Sequence, residues 1–82
     1  MNSGGVLDKT LNTTRHEELI AFLIRKRAEA GMSQTELAEK IGEYQSWIAR
    51  LESGQRRLDV IEFETLAQAL DFSPSEFFGP PF

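Results

Sequence analysis

The chain has no cysteine and only one histidine, one tryptophan and one tyrosine among its 82 residues. The missing cysteines exclude disulfides, thiol catalysis and thiolate metal sites together. They also fit a cytoplasmic chain kept under reducing conditions. Long apolar runs are missing as well. Ile20 to Ile24 is apolar, but a bilayer span needs about 20 such residues. Met1 to Leu11 lacks a basic start followed by an apolar stretch, so neither a secretory signal nor a membrane partner is expected. The lone His16 stands beside two glutamates, Glu17 and Glu18, and no metal role is expected of it. No nucleophile–base pair, zinc-protease signature or phosphate-cradling glycine loop occurs. An enzyme is therefore not expected, and no cofactor is expected either. Strand signals, repeats and low-complexity tracts are also lacking.

What is present is an ordinary globular balance, with 40% apolar and 27% charged residues. The length suits one domain with a modest core, worth roughly 3–5 kcal/mol. It leaves no room for a separate ligand domain, so a small-molecule effector is not expected. The net charge is −4 and the isoelectric point about 4.9, but the charge is uneven. Residues 25–58 hold seven basic and five acidic side chains, whereas residues 59–82 hold five acidic and no basic ones. A polyanionic partner responds to the local face more than to the total.

Read along the chain, residues 1–12 are a flexible arm without periodicity, residues 13–79 a helical domain, and residues 80–82 a tail. Thr14 followed by Glu17 is a capping-box pattern that predicts a helix start, and the helix runs to about Ala30. Leu19, Phe22, Leu23, Lys26 and Ala30 share one stripe of it, widened by Ile20 and Ile24. Gly31 ends it. Ser33 with Glu36 opens a second helix, which Gly42 stops. The turn Gly42–Glu43–Tyr44 leads to a third over Gln45 to Ser53, ended by Gly54. Gln55 to Leu58 is a loop. Asp59 with Glu62 opens a fourth helix, with Phe63, Leu66, Ala67 and Leu70 on one face. Ser73–Pro74–Ser75–Glu76 opens a short fifth, in which Pro74 takes the favoured first helical position. The fold class is all-α, a compact bundle of four to five helices.

Two short helices joined by a tight glycine turn can hold the second one away from the body, where it fits a major groove about 12 Å wide. Leu37, Ala38, Ile41, Ile48 and Leu51 would brace the pair. The free face of the third helix then presents Gln45, Ser46, Ala49, Arg50 and Ser53. Gln pairs bidentately with adenine, Arg does so with guanine, and Ser bonds to either. Ordinary solvated side chains are the competing reading of this face.

Gly31-Met32-Ser33-Gln34-Thr35-Glu36-Leu37-Ala38, then Gly42, then Gln45-Ser46-Trp47-Ile48-Ala49-Arg50-Leu51-Glu52-Ser53-Gly54, resembles the Cro/C1-type (Xre) helix-turn-helix family. The likeness extends over about residues 17–78. It implies a lambda-repressor-like DNA-binding domain and a regulator of repressor type that binds double-stranded DNA, often as a homodimer. It further implies that Gln45, Ser46 and Arg50 contact bases. Gln34, Arg27, Ser53, Arg56 and Arg57 would contact the phosphate backbone, and Arg27 would also form a structural ion pair with Glu52. Tyr44 departs from the family's usual Ser or Thr and is a poor cap; its hydroxyl could reach a phosphate or a base. Arg25 and Lys26 read equally as a second phosphate patch or a solvated face. Trp47 reads as packing against the second helix. Phe63, Phe72, Phe77 and Phe78 read as core; with Phe82, Ile20 and Ile24 they leave apolar area for a dimer contact. The alternative function is an antitoxin or protein-interaction module that uses the fold as scaffold, with the acidic fourth helix facing a protein partner.

Overall fold

The computed structural model describes residues 9–80, with side chains from residue 14 onward. Five helices follow one another: α1 (Lys9–Glu29), α2 (Gln34–Ile41), α3 (Gln45–Glu52), α4 (Val60–Leu70) and α5 (Ser75–Phe78). No strand occurs among the described residues. The expected arm falls largely on residues 1–8, which lie outside the described residues, as does Phe82.

The start of α1 differs from the expected one. The helix reaches back to Lys9, so Thr14 lies inside it rather than at its cap. Backbone amides in the interior of a helix find carbonyls one turn earlier and need no capping side chain, which is why the Thr14–Glu17 pattern does not mark the helix start. At α5 the expected signal forms only in part: the Glu76 carboxylate accepts from the Ser73 amide at 3.0 Å, but the helix begins at Ser75 and Pro74 takes the cap position rather than the first helical one. The capping boxes of α2 and α4 form as expected. The Ser33 hydroxyl accepts from the Glu36 amide at 3.0 Å, and the Glu36 carboxylate accepts from the Ser33 amide at 2.7 Å. Asp59 and Glu62 repeat this at 2.7 and 2.9 Å.

The turn between α2 and α3 depends on Gly42, whose φ of 76° is left-handed. A side chain there would crowd the following carbonyl, so glycine suits it. The Glu43 amide then donates back to the Ala38 carbonyl at 2.8 Å, closing α2. α4 ends without glycine. Asp71 takes the left-handed position at φ 57°, and the Phe72 amide donates to the Ala67 carbonyl at 3.0 Å.

The core lies where α1, α2, α3 and α4 meet. Ile48, Leu51 and Leu66 are completely enclosed, and Phe22, Leu23, Leu37, Ala38 and Leu70 surround them. The expected stripe of α1 holds for Phe22 and Leu23, but Ala30 is exposed at the helix end and Lys26 is half-buried. Five phenylalanines close a ring of contacts. Phe22 meets Phe72 at 5.0 Å and Phe77 at 5.3 Å, Phe63 meets Phe72 at 5.6 Å and Phe78 at 5.5 Å, and Phe77 meets Phe78 at 5.0 Å. Tilted and edge-on pairs of this kind add about 0.5–1.5 kcal/mol each beyond area burial. They seat the short α5, which could not hold its shape alone. Lys26 and Glu76 pair at 2.5 Å and tie α1 to the same end. No described helix is long and apolar enough to cross a membrane.

Candidate nucleic-acid interface

α3 is sharply two-sided. Trp47, Ile48 and Leu51 are buried, whereas Gln45, Ser46 and Arg50 are exposed and Ala49 is half-buried. The α2–α3 packing is the reason: the apolar side of α3 is consumed by Leu37 and Ala38, and the polar side points away. The three residues expected on base edges thus share one accessible surface.

A polar chain links that surface to the interior. Arg27 of α1 grips Glu52 with two parallel bonds, Nε to Oε2 at 2.7 Å and Nη2 to Oε1 at 2.8 Å. Its Nη1 donates to the Met32 carbonyl at 2.9 Å. The Glu52 bond holds the Arg27 guanidinium above its usual pKa, partly offset by desolvation. The expected ion pair is therefore present, and every guanidinium nitrogen of Arg27 is engaged within the domain. Gln34 Nε2 also donates to Glu52 Oε1, at 2.9 Å, and Gln45 Nε2 donates to Gln34 Oε1 at 2.8 Å. The residue expected on phosphate and the first residue expected on bases are thus bonded to one another, which sequence reasoning did not foresee.

The remaining expected residues fall in different settings. Tyr44 precedes α3 with φ −85° and ψ 153°, is 83% exposed, and makes no side-chain cap. The first amides of α3 consequently lack a capping side chain. Ser53 closes α3, its hydroxyl donating to the Arg50 carbonyl at 3.1 Å. Arg57 is exposed in the following loop. Arg56 is half-buried: its guanidinium carbon lies 4.4 Å above the Trp47 ring, and its nitrogens reach Glu62 at 3.3 and 3.4 Å. Trp47 packs inward, and Arg56 covers its outer side.

Carboxylates neutralise much of the basic set. Arg15, Lys26, Arg27 and Arg56 form ion pairs with Glu18, Glu76, Glu52 and Glu62. Arg25 lies 4.0 Å from Glu29. Of the two readings of Arg25 and Lys26, the solvated ion-paired face fits these contacts. No group of acidic or histidine side chains among the described residues is arranged to hold a metal.

Residues 23–77 match the helix-turn-helix family profile, more than half of the chain. The chain belongs to the helix-turn-helix family of Cro/C1 (Xre) type. This is a family of DNA-binding transcription regulators. Solved structures agree. An XRE-family like protein from Pseudomonas syringae pv. tomato str. DC3000 is 34% identical, with a TM-score of 0.81 over 89% of each chain. A mutant of the restriction–modification controller protein C.Esp1396I is 26% identical, with a TM-score of 0.73 over 79% of this chain and 87% of that one. No curated protein matches. The Xre-type match spans α2, α3 and the loop after them, the elements that carry the two-sided helix and its polar chain.

Proposed function

We propose that the chain is a sequence-specific transcriptional repressor that inserts α3 into the major groove, with Gln45, Ser46 and Arg50 on base edges. The observation that carries this reading is the exposure of those three side chains on one face of a helix whose other face is wholly buried. Gln34, Tyr44, Ser53 and Arg57 flank that face as backbone contacts. Arg27 acts from behind, by fixing Glu52. Arg56 contributes both to the backbone contact and to holding Trp47. The protein works in the cytoplasm without a cofactor, as a homodimer on two half-sites whose centres lie roughly 34 Å apart.

Affinity in this reading rests on few charges. Among the described basic residues, Lys40 and Arg50 take part in no ion pair, and most others are matched by carboxylates. A reader of this kind gains more from base contacts than from counterion release. Selection of bound DNA from a random pool tests the reading directly. An enriched site should appear, and Arg50→Ala should cost about 1–3 kcal/mol at one base position of it. No enrichment at low salt, or an Arg50→Ala protein with unchanged site preference, would refute the assignment.

A further inference from the structure

Arg27 and Arg56 each pair with a glutamate, and the two pairs differ in kind. Arg27 and Glu52 meet at 2.7 and 2.8 Å, with side chains only 18% and 8% exposed. Arg56 and Glu62 meet at 3.3 and 3.4 Å, with side chains 27% and 31% exposed. Charge-assisted N–H···O bonds prefer about 2.7–2.9 Å, so the first pair is closed and the second is loose. Arg56 Nε enters neither of its two bonds.

The carboxylate of the loose pair is nonetheless fixed. Glu62 Oε1 accepts from the Asp59 amide at 2.9 Å, a bond of the α4 capping box that does not involve Arg56. The arginine is held a second time by the Trp47 ring, 4.4 Å below its guanidinium carbon. Trp47 neighbours Arg50 one turn along α3, so Arg56 stands at the edge of the reading face. Glu43 lines a recess of about 110 Å³ together with Trp47 and Glu62. Among the described residues Glu43 forms no ion pair. Two carboxylates at this spot favour a guanidinium and oppose a phosphate.

We propose that Glu62 holds Arg56 in reserve and thereby sets the DNA affinity of the chain without touching DNA. In the free chain Arg56 stays on Glu62 and Trp47. On DNA a backbone phosphate takes the guanidinium from both, and Glu62 remains on its cap. The inference rests on the DNA-binding reading and deepens it, because the two duties of Arg56 become alternatives. A group that binds only once released lowers the apparent affinity by its released fraction. A part-exposed ion pair shifts such an equilibrium about two- to fivefold.

A double-mutant cycle on the full chain tests the proposal, with the duplex selected from a random pool and a mixed-sequence duplex as probes. Glu62→Gln keeps the capping box, which glutamine also serves, and leaves Arg56 only a neutral acceptor. It should tighten binding to both duplexes about two- to fivefold, with unchanged helical circular dichroism. In an Arg56→Ala background it should do no more than Glu64→Gln, which removes an exposed α4 charge outside the described ion pairs. By nuclear magnetic resonance, the Arg56 side-chain protons should show the upfield shift of the Trp47 ring in the free chain and lose it on DNA. A gain from Glu62→Gln that persists in the Arg56→Ala background, or that Glu64→Gln matches, overturns the proposal. So does an Arg56 that keeps its ring shift on DNA. Either result beside an enriched site leaves the DNA reading intact. A gain through Arg56 on mixed-sequence DNA without any enriched site would do the reverse. Absence of binding to both duplexes at low salt would refute both.

Discussion

The side-chain amide of Gln45 donates to the side-chain oxygen of Gln34 across 2.8 Å. The direction of that bond is dictated from inside the domain. Glu52, held by Arg27, can only accept, so the Gln34 NH₂ group must turn toward it and the Gln34 oxygen must face Gln45. Gln45 is left with one N–H and its own oxygen, the donor–acceptor pair that adenine N7 and N6 require. Within the proposed function, a carboxylate two turns further along the same helix sets the orientation of a base-reading amide.

Gln34→Ala should accordingly reduce discrimination at the adenine position by about 1 kcal/mol, the net worth of an orienting hydrogen bond. Gln45→Ala should remove most of the discrimination, about 1–3 kcal/mol. Competition binding with the selected site and its single-base variants measures both. Unchanged adenine preference in Gln34→Ala would separate the relay from base reading.

Arg56→Ala should lower stability by about 1–2 kcal/mol, from the lost stacking on Trp47 and the lost pairing with Glu62. Trp47 is the only tryptophan, so its emission should shift toward the red in the folded state as water reaches the uncovered ring. Chemical denaturation followed by fluorescence reads both effects. A variant with wild-type stability and emission would make Arg56 a contact residue alone.

Acid should loosen both the α1–α5 end and the start of α2. The Lys26 ammonium and the Ser73 amide hold the Glu76 carboxyl below its usual pKa, and the Ser33 amide and hydroxyl do the same for Glu36. A carboxyl whose folded value is depressed contributes stability that is complete above its unfolded value, 4.5 here, and lost as pH falls through the folded one. Lys26 is raised, chiefly by Glu76, so its share persists below 10.5 and disappears as pH climbs through the raised value. Glu76→Gln should therefore melt lower than wild type at neutral pH and show a shallower loss below pH 4.5. Parallel melting curves at both pH extremes would expose the mistake.

Asp71→Gly should raise stability by about 1 kcal/mol, or about 4–8 °C in melting temperature. Asp71 occupies a left-handed position at φ 57° and places a negative charge at the C-terminal end of α4. Glycine relieves the crowding, and loss of the carboxylate removes its repulsion with the helix dipole. Thermal unfolding at neutral pH decides it, and a lower midpoint would mean that the added freedom of the unfolded chain wins.

Local chemistry explains what the sequence by itself determined. Ser33 with Glu36, Asp59 with Glu62, Gly31, Gly42 and Gly54 mark their helix ends because caps and left-handed stops depend on residues a few positions apart. The spacing of Trp47, Ile48 and Leu51 against Gln45, Ser46 and Arg50 likewise defines the two sides of α3 through its period alone. The Thr14–Glu17 pattern misleads because a capping pair inside a continuing helix has no orphan amides to satisfy. The tertiary structure decided everything that joins distant positions. Arg56 over Trp47, Lys26 on Glu76 and the relay from Glu52 through Gln34 to Gln45 each depend on how the helices pack. Side-chain bonds of that kind need angles and distances that no spacing along a chain encodes. The reading face is a property of one helix, whereas the orientation of its first amide is a property of three.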